Sequence, residues 1–337
     1  AHRSGGRLRK RAVSPPVLLV PEKINPTLIE AIRGEGLGRL EIDERLCRDP
    51  DALLDRVAET DVLIFKNLTR VPAAVIEAAR RLRLLCRDGI GFENIDIAAA
   101  TRAGIPIHAP LGANAVSVAE FTVGLVIALA KRLIPAQRSM ADGQWERFQY
   151  YGHVTELWGK TAGIVGLGAI GRETARRLAA FGMRLLAYDP YAKTAADVPV
   201  TLTDLATLLK ESDFVLLHAP QTPETVGMIG EAEFRSMKLT ASLINIARAP
   251  LVDAKALHRA LSEGWIAGAA TDVYETEPPS AADPLRSLPN VIRTPHYAGG
   301  TLESTERKAA MNLTDIRRAL RGEAILHYVN IPGPRVV

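Results

Sequence analysis

The chain has 337 residues, 47% of them apolar and 24% charged, which are the proportions of an ordinary globular protein of about two domains at roughly 150 residues each. Its formal net charge is +4, and Arg3, Arg7, Arg9, Lys10 and Arg11 carry five positive charges near the start. The remainder is close to neutral, which argues against a nucleic-acid-binding body and leaves residues 1–14 as a flexible, solvated basic tail.

From residue 17 short β-rich runs alternate with helical stretches. "VLLVP" (17–21) and "DVLIFKN" (61–67) read as strands, followed by the helix-like "PTLIEAIRGEG" and "VPAAVIEAARR". "LRLLCRDGIG" and "IPIHAP" repeat the theme, with "NIDIAAATRAG" between them as a helix ended by glycine. Strands alternating with helices imply parallel sheets, so the fold class is α/β. Cys47 and Cys86 make neither a disulfide framework nor a metal-like spacing, which fits a reducing cytoplasm; no secretory signal is visible.

"VSVAEFTVGLVIALA" (116–130) contains Glu120 and is closed by Lys131 and Arg132. It falls short of the ~20 residues a membrane span requires and reads as a core or interface helix. The polar, aromatic "ADGQWERFQYYGHVTELWGK" that follows reads as a surface loop. Alternation resumes through "TAGIVGLG", "MRLLAYDP", "DFVLLHAP", "ASLINIAR", "AGAATDVY" and "NVIRTPH", six strand-like runs that make a doubly wound sheet. After residue 300 come one amphipathic helix, "LESTERKAAMNLTDIRRALRG", and a tail too short for a domain. That segment is expected to return to the first domain.

The second half opens on a nucleotide fingerprint. Gly166, Gly168 and Gly171 form G-x-G-x-x-G between a strand and a helix, with Ala169 and Ile170 inside it. The first glycine permits the tight turn, the second lets a pyrophosphate approach the backbone, and the third packs helix on strand. Asp189 ends the next strand, 18 residues beyond Gly171, where a carboxylate accepts hydrogen bonds from ribose hydroxyls and repels a 2′-phosphate. Pro190 and Tyr191 follow, with no arginine, so NAD is favoured over NADP.

Three polar residues stand at the C-terminal ends of later strands, the edge where open α/β sheets bind ligands. Arg248 ends "LINIAR", Glu277 lies in "TDVYETEPP", and His296 closes "VIRTPH". An arginine grips a carboxylate bidentately, a histidine exchanges a proton near neutral pH, and a nearby carboxylate orients that histidine. Taken singly, His296 could be a turn residue and Glu277 a solvent-exposed one. His108, His258 and His327 read as structural or surface residues, and no metal site is expected.

These residues sit in ordered motifs: "GIGFENIDIAAATRAGIPI", "ANAVSVAEFTVGLVIAL", "GKTAGIVGLGAIG", "LHAPQTPET", "NIARAPLVD", "AATDVYETEP" and "TPHYAGGT". From about residue 60 to 330 the chain resembles the D-isomer-specific 2-hydroxyacid dehydrogenases, the family of phosphoglycerate, glyoxylate/hydroxypyruvate and formate dehydrogenases. The resemblance implies a Rossmann-type NAD-binding domain over 113–298 and a smaller, discontinuous, flavodoxin-like substrate domain from 15–112 and 299–337, with a cleft that closes on substrate. It implies hydride exchange between the cofactor and C2 of a 2-hydroxy or 2-keto acid. Arg248 would bind the substrate carboxylate and carbonyl, and His296, partnered by Glu277, would be the acid/base. Gly89, Ile90 and Gly91 would hold the substrate carboxylate. Asn114, Ser117 and Val118 would approach the cofactor; His218, Pro220, Thr222, Ile246, Ala247, Asp272 and Gly299 would line its pocket. The helix after 115 would be a homodimer contact.

Glutamate at 277 departs from the formate-oxidising branch, which places glutamine there because formate loses hydride without a proton. An NAD-sensing corepressor on the same fold is the rival reading from another class. Among substrates, phosphoglycerate dehydrogenases often carry C-terminal regulatory domains, so at 337 residues the activity would be of the short form. Lys66 is a candidate for a second anionic group on the substrate. One departure stands beside the arginine: the family has glycine where this chain has Ala249, a cost of about 1 kcal/mol if the turn needs a positive φ.

Overall fold

The computed structural model describes residues 14–331. The expected basic tail, apart from Ser14, and residues 332–337 lie outside the described residues. The chain divides into two compact units, one holding the residues up to Ala113 and from Thr305 onward, the other Asn114–Ser304.

The first unit runs β1 (Val17–Val20), α1 (Pro26–Glu35), β2 (Arg39–Ile42), α2 (Pro50–Val57), β3 (Val62–Phe65), α3 (Ala73–Ala78), β4 (Leu84–Arg87), α4 (Ile97–Arg102) and β5 (Ile107–His108). Its five strands are all parallel, in the order β2-β1-β3-β4-β5, the flavodoxin-like arrangement. Local signals set the helix ends: Asn25 caps α1 through Thr27 N, Pro26 occupies its first turn, and Gly36 closes it in the left-handed region at φ 59°. Alternate residues face opposite layers. Leu18, Val20, Val62 and Ile64 share a core with Ala309, Leu313 and Ile316 of the C-terminal helix, while Leu19, Leu63 and Phe65 share one with Leu53, Val75 and Ile76.

Strand β2 and helix α2 have no counterpart in the sequence reading. Strand β2, "RLEI", lies at the sheet edge with no fully buried residue, so it lacks the apolar run that marks the inner strands.

The second unit runs α5 (Ala115–Ala130), α6 (Leu133–Ala141), α7 (Arg147–Tyr150), β6 (Thr161–Val165), α8 (Ala169–Ala179), β7 (Arg184–Tyr188), β8 (Thr201–Leu202), α9 (Leu205–Glu211), β9 (Phe214–Leu217), α10 (Glu231–Ser236), β10 (Ser242–Asn245), α11 (Ala254–Ser262), β11 (Gly268–Thr271) and β12 (Val291–Arg293). Helix α12 (Leu302–Leu320) crosses the border into the first unit. The parallel sheet has the order β12-β11-β10-β9-β6-β7-β8. Counted from β6, this is the 3-2-1-4-5-6 order of dinucleotide-binding sheets with one more strand at the far edge. The strand beyond the six expected, β8, is two exposed residues at the other edge.

Helix α5 is apolar because it is buried within its own unit: Val118, Val123, Leu125 and Val126 share a core with Ile164, Leu178 and Leu185. Its composition therefore needs no second copy to explain it. A run of exposed large apolar side chains follows it, including Leu133, Met140, Trp145, Phe148, Tyr151 and Trp158, and Val116 within the helix is exposed as well. Within the stretch expected to be loop, α6 ends and α7 adds one turn. Among the described residues no helix is long and apolar enough to cross a membrane.

Candidate active site

Strand register organises the second unit's candidate residues. Tyr188, Val165, Leu217, Asn245, Thr271 and Arg293 lie in one line across β7, β6, β9, β10, β11 and β12. One residue past that line stand Asp189, Gly166, His218, Ile246, Asp272 and Thr294. Arg248 follows Asn245 by three positions and His296 follows Arg293 by three, so both leave the same edge of the sheet.

At the fingerprint each glycine answers a distinct constraint. Gly166 has φ +94°, and a Cβ there would stand 2.7 Å from Ala219 N. Gly168 faces open space, and as N-cap of α8 it brings no side-chain acceptor to the first-turn amides of Ala169, Ile170 and Gly171. A Cβ on Gly171 would run into the Gly166 carbonyl oxygen. An open helix N-terminus over a backbone with no side chain is a fitting cradle for a pyrophosphate. Asp189 accepts from Leu167 N at 2.8 Å through one oxygen and from Tyr191 N at 2.9 Å through the other, leaving lone pairs outward for hydroxyl donors.

His218 follows β9 with both ring nitrogens buried and no partner among the described residues. Burial pulls its pKa from the ordinary 6.5 down to about 3, so the ring is neutral. Between these values the unfolded chain binds one more proton than the folded one, so stability falls as pH falls. Urea unfolding of the nucleotide-free protein should lose up to about 1.4 kcal/mol per pH unit more than His218→Gln does as pH drops from 6.5 toward 3; parallel pH slopes for the two would refute this. Beyond it, Thr225 Oγ accepts from Thr222 N at 2.8 Å and donates to the Pro220 carbonyl at 2.8 Å, fixing that loop.

Arg248 is presented by a side-chain brace. Asn245 Nδ2 donates to the Arg248 carbonyl at 2.9 Å, and Asn245 Oδ1 accepts from Ala247 N at 3.1 Å. The half-buried guanidinium donates to the Ala247 carbonyl at 2.7 Å. Ala249 begins a short 3₁₀ turn and is not among the residues with positive φ. The penalty expected of an alanine here is therefore absent.

His296 and Glu277 meet directly: Nδ1 lies 2.7 Å from each carboxylate oxygen, leaving Nε2 to face elsewhere. His296 has φ 52°, a left-handed conformation uncommon for a side-chain-bearing residue. Asp272 holds that turn in place. Its Oδ1 accepts from Thr294 Oγ at 2.6 Å and Tyr297 N at 3.2 Å, and its Oδ2 accepts from Ala298 N at 2.9 Å. Most of this buried carboxylate is thus spent on the loop, and only a remaining Oδ2 lone pair can serve a ligand. Ser117 Oγ donates to the Ala298 carbonyl at 2.6 Å. A Cβ on Gly299 would stand 2.8 Å from Asn114 Nδ2, so glycine is what lets Asn114 approach.

In the first unit, Lys66 is partly exposed with Nζ 3.6 Å from Asp88, and Lys308 beside them is pulled below the ordinary lysine pKa by burial and by Lys66, against Asp88. A Cβ on Gly89 would meet the Arg87 guanidinium at 2.5 Å, and Arg87 Nε donates to the Gly91 carbonyl at 2.7 Å. Buried Glu22, which no motif marks, accepts from the amides of Lys66, Leu68 and Thr69 and so shapes the Lys66 loop.

The family model for the NAD-binding domain of D-isomer specific 2-hydroxyacid dehydrogenases matches residues 123–298. A D-3-phosphoglycerate dehydrogenase of Archaeoglobus fulgidus is 39% identical over 318 residues, 94% of this chain and 59% of that one, so the chain spans about three fifths of this relative. A glyoxylate reductase of Thermofilum pendens is 41% identical over 285 residues, covering 83% of this chain and 84% of that one. Among solved structures, an NADPH-dependent glyoxylate/hydroxypyruvate reductase of Sinorhizobium meliloti with NADP and malonate superposes with a TM-score of 0.85 at 26% identity, over 96% of this chain and 100% of that one.

Proposed function

The chain belongs to the D-isomer specific 2-hydroxyacid dehydrogenases, and from that premise we propose that it interconverts a D-2-hydroxy acid and its 2-keto acid with NAD. The observation that supports this reading is the register line: the Gly166–Gly171 turn, Arg248 and His296 all follow the same edge of the sheet, and Glu277 bonds to His296. Gly166, Gly168, Ala169, Ile170 and Gly171 would hold the pyrophosphate and Asp189 the ribose. His218, Pro220, Thr222, Ile246, Ala247, Asp272 and Gly299 would surround the nicotinamide end.

When bound, the cofactor supplies the hydride exchanged with substrate C2. In the reducing direction the carbonyl π pair becomes an oxygen lone pair, and protonated His296 gives that oxygen the proton from Nε2. Glu277 keeps Nδ1 as the hydrogen-bond donor and balances the ring's positive charge. Arg248 binds the substrate carboxylate and steadies the negative charge growing on the oxygen. In the first unit, the Gly89–Gly91 backbone and Lys66 are assigned to the substrate acid.

Turnover of phosphohydroxypyruvate, hydroxypyruvate and glyoxylate, each with NADH and NADPH, tests the reading. Oxidation of NADH on at least one is expected, with NADPH poorer by about tenfold or more, since Asp189 would face its 2′-phosphate as a like charge. Nucleotide binding without turnover on any acid would sink it. Lys66→Ala should weaken kcat/KM most on the substrate with a second anionic group; equal losses on all three would remove Lys66 from recognition.

We propose a homodimer contact through the 115–133 region, extended by the exposed aromatic side chains that follow it. Trp145, Phe148, Tyr151 and Trp158, all between positions 145 and 158, are each more than 70% exposed, more apolar exposure than a segment of this length ordinarily leaves to water. Trp145→Glu with Phe148→Glu should turn a dimer into a monomer by light scattering, whereas a wild-type monomer would exclude the contact.

A further inference from the structure

The first unit holds a buried polar cluster to which the proposed chemistry assigns no role, joined to the Asp88–Lys66 pair through Asn312. The segment around Tyr328 pairs antiparallel with β5 through Ala109 N to the His327 carbonyl and Val329 N to the Ile107 carbonyl. That pairing brings His327 next to His108, and α12 sets Asp315 between them. Asp315 Oδ2 lies 2.8 Å from His108 Nδ1 and 3.0 Å from His327 Nδ1. His108 and Asp315 are fully buried, and the His327 side chain is 30% exposed.

Hydrogen-bond bookkeeping leaves this cluster one cation short. His108 Nε2 lies 2.7 Å from Asn312 Oδ1, and the orientation of that amide is fixed because Asn312 Nδ2 donates to Asp88 Oδ1 at 2.8 Å. Nε2 must therefore carry a proton, which in the neutral ring leaves Nδ1 as a bare lone pair aimed at a carboxylate oxygen. That oxygen has two lone-pair directions, and one already accepts from His327 N at 2.8 Å. The other is faced by two imidazole nitrogens at once. A single ion shared by all three atoms satisfies it, whereas separate protons on both rings would put three donors on one oxygen.

We propose that His108, Asp315 and His327 form a binding site for a divalent transition metal of the zinc class. Two neutral imidazoles and a carboxylate are the donor set such ions take. Ligands about 2.05 Å from one ion stand about 3.3 Å apart at the tetrahedral angle, so the 2.8 and 3.0 Å separations would each open by a few tenths of an ångström around the ion, and all three ligand atoms already lie within 4.8 Å of one another. Asn312 supplies the hydrogen bond that a metal-bound imidazole makes through its other nitrogen. The ion would tie the Leu326–Val329 segment to β5 and α12.

The test uses full-length protein without a histidine tag, stripped with a chelator and titrated with cobalt(II) and zinc. One equivalent of metal per chain, a visible cobalt d–d band and a melting temperature raised by several degrees are expected. His327→Ala should weaken binding more than about 100-fold, beyond what losing one supporting hydrogen bond costs, and His108→Phe should abolish it. His296→Ala should bind as the wild type does. Absence of stoichiometric binding, or binding that survives His327→Ala, would overturn the site; the exposed position of His327 keeps that variant decisive if His108→Phe does not fold. Nitrogen-15 spectra of the metal-treated protein showing both rings doubly protonated would also overturn it.

Discussion

His296→Ala should lower kcat for keto-acid reduction by about 10²–10⁴-fold while NADH binds as tightly as to the wild type. The ring is held by three independent devices, which is why its loss should read as chemistry and not as misfolding. Glu277 takes Nδ1 with both oxygens at 2.7 Å, so under the proposed reaction the transferred proton would be the one on Nε2. The φ of 52° turns the side chain out of the strand direction of β12. Asp272 then fixes the turn from below through Thr294, Tyr297 and Ala298. Glu277→Gln keeps a hydrogen-bonding side chain but removes the countercharge, so it should cost less than His296→Ala and shift the pH profile of kcat. Steady-state kinetics with a fluorescence titration of NADH separates the cases; a parallel loss of cofactor affinity and turnover would move His296 from the proton to the cofactor.

The parts of this fold visible in the sequence are those whose causes are local. Inner strands such as "VLIF" and "FVLL" are continuous apolar runs because a parallel sheet covered on both faces buries every residue. The fingerprint is legible because each glycine answers a steric demand within a few residues. Edge strands β2 and β8 carry no such run, since half or more of each faces solvent. Helix α5 packs on Ile164 and Leu178 within its own unit, a contact that composition alone does not specify because core and interface helices are equally apolar. The cluster of His108, Asp315 and His327 has no sequence signature, since His108 lies over 200 residues before the other two and meets them through one β-bridge and one helix. The motif marks Asp272 as a pocket residue, but its bonds to the His296 turn span more than 20 residues and are not legible in spacing.

Arg248→Ala should lower kcat/KM on the order of 10³-fold, the effect of removing one partner of a desolvated charge pair worth about 2–5 kcal/mol. Arg248→Lys should recover only part of this, because an ammonium presents a point charge where a guanidinium offers a planar fork to carboxylate and carbonyl together. The Asn245 brace makes the same prediction from the other side. Asn245→Ala leaves the guanidinium in the chain but frees the backbone that aims it, so kcat should fall while the substrate still binds weakly. Ala249→Gly discriminates a strained site from a relaxed one. With Ala249 in an ordinary 3₁₀ turn, no left-handed penalty is relieved by glycine, and activity should stay within about threefold of wild type. A large gain in Ala249→Gly would mean that the alanine holds Arg248 away from its productive pose. Loss of NADH affinity in Arg248→Ala, without loss of turnover at saturation, would assign the arginine to the cofactor and leave the substrate carboxylate without its anchor.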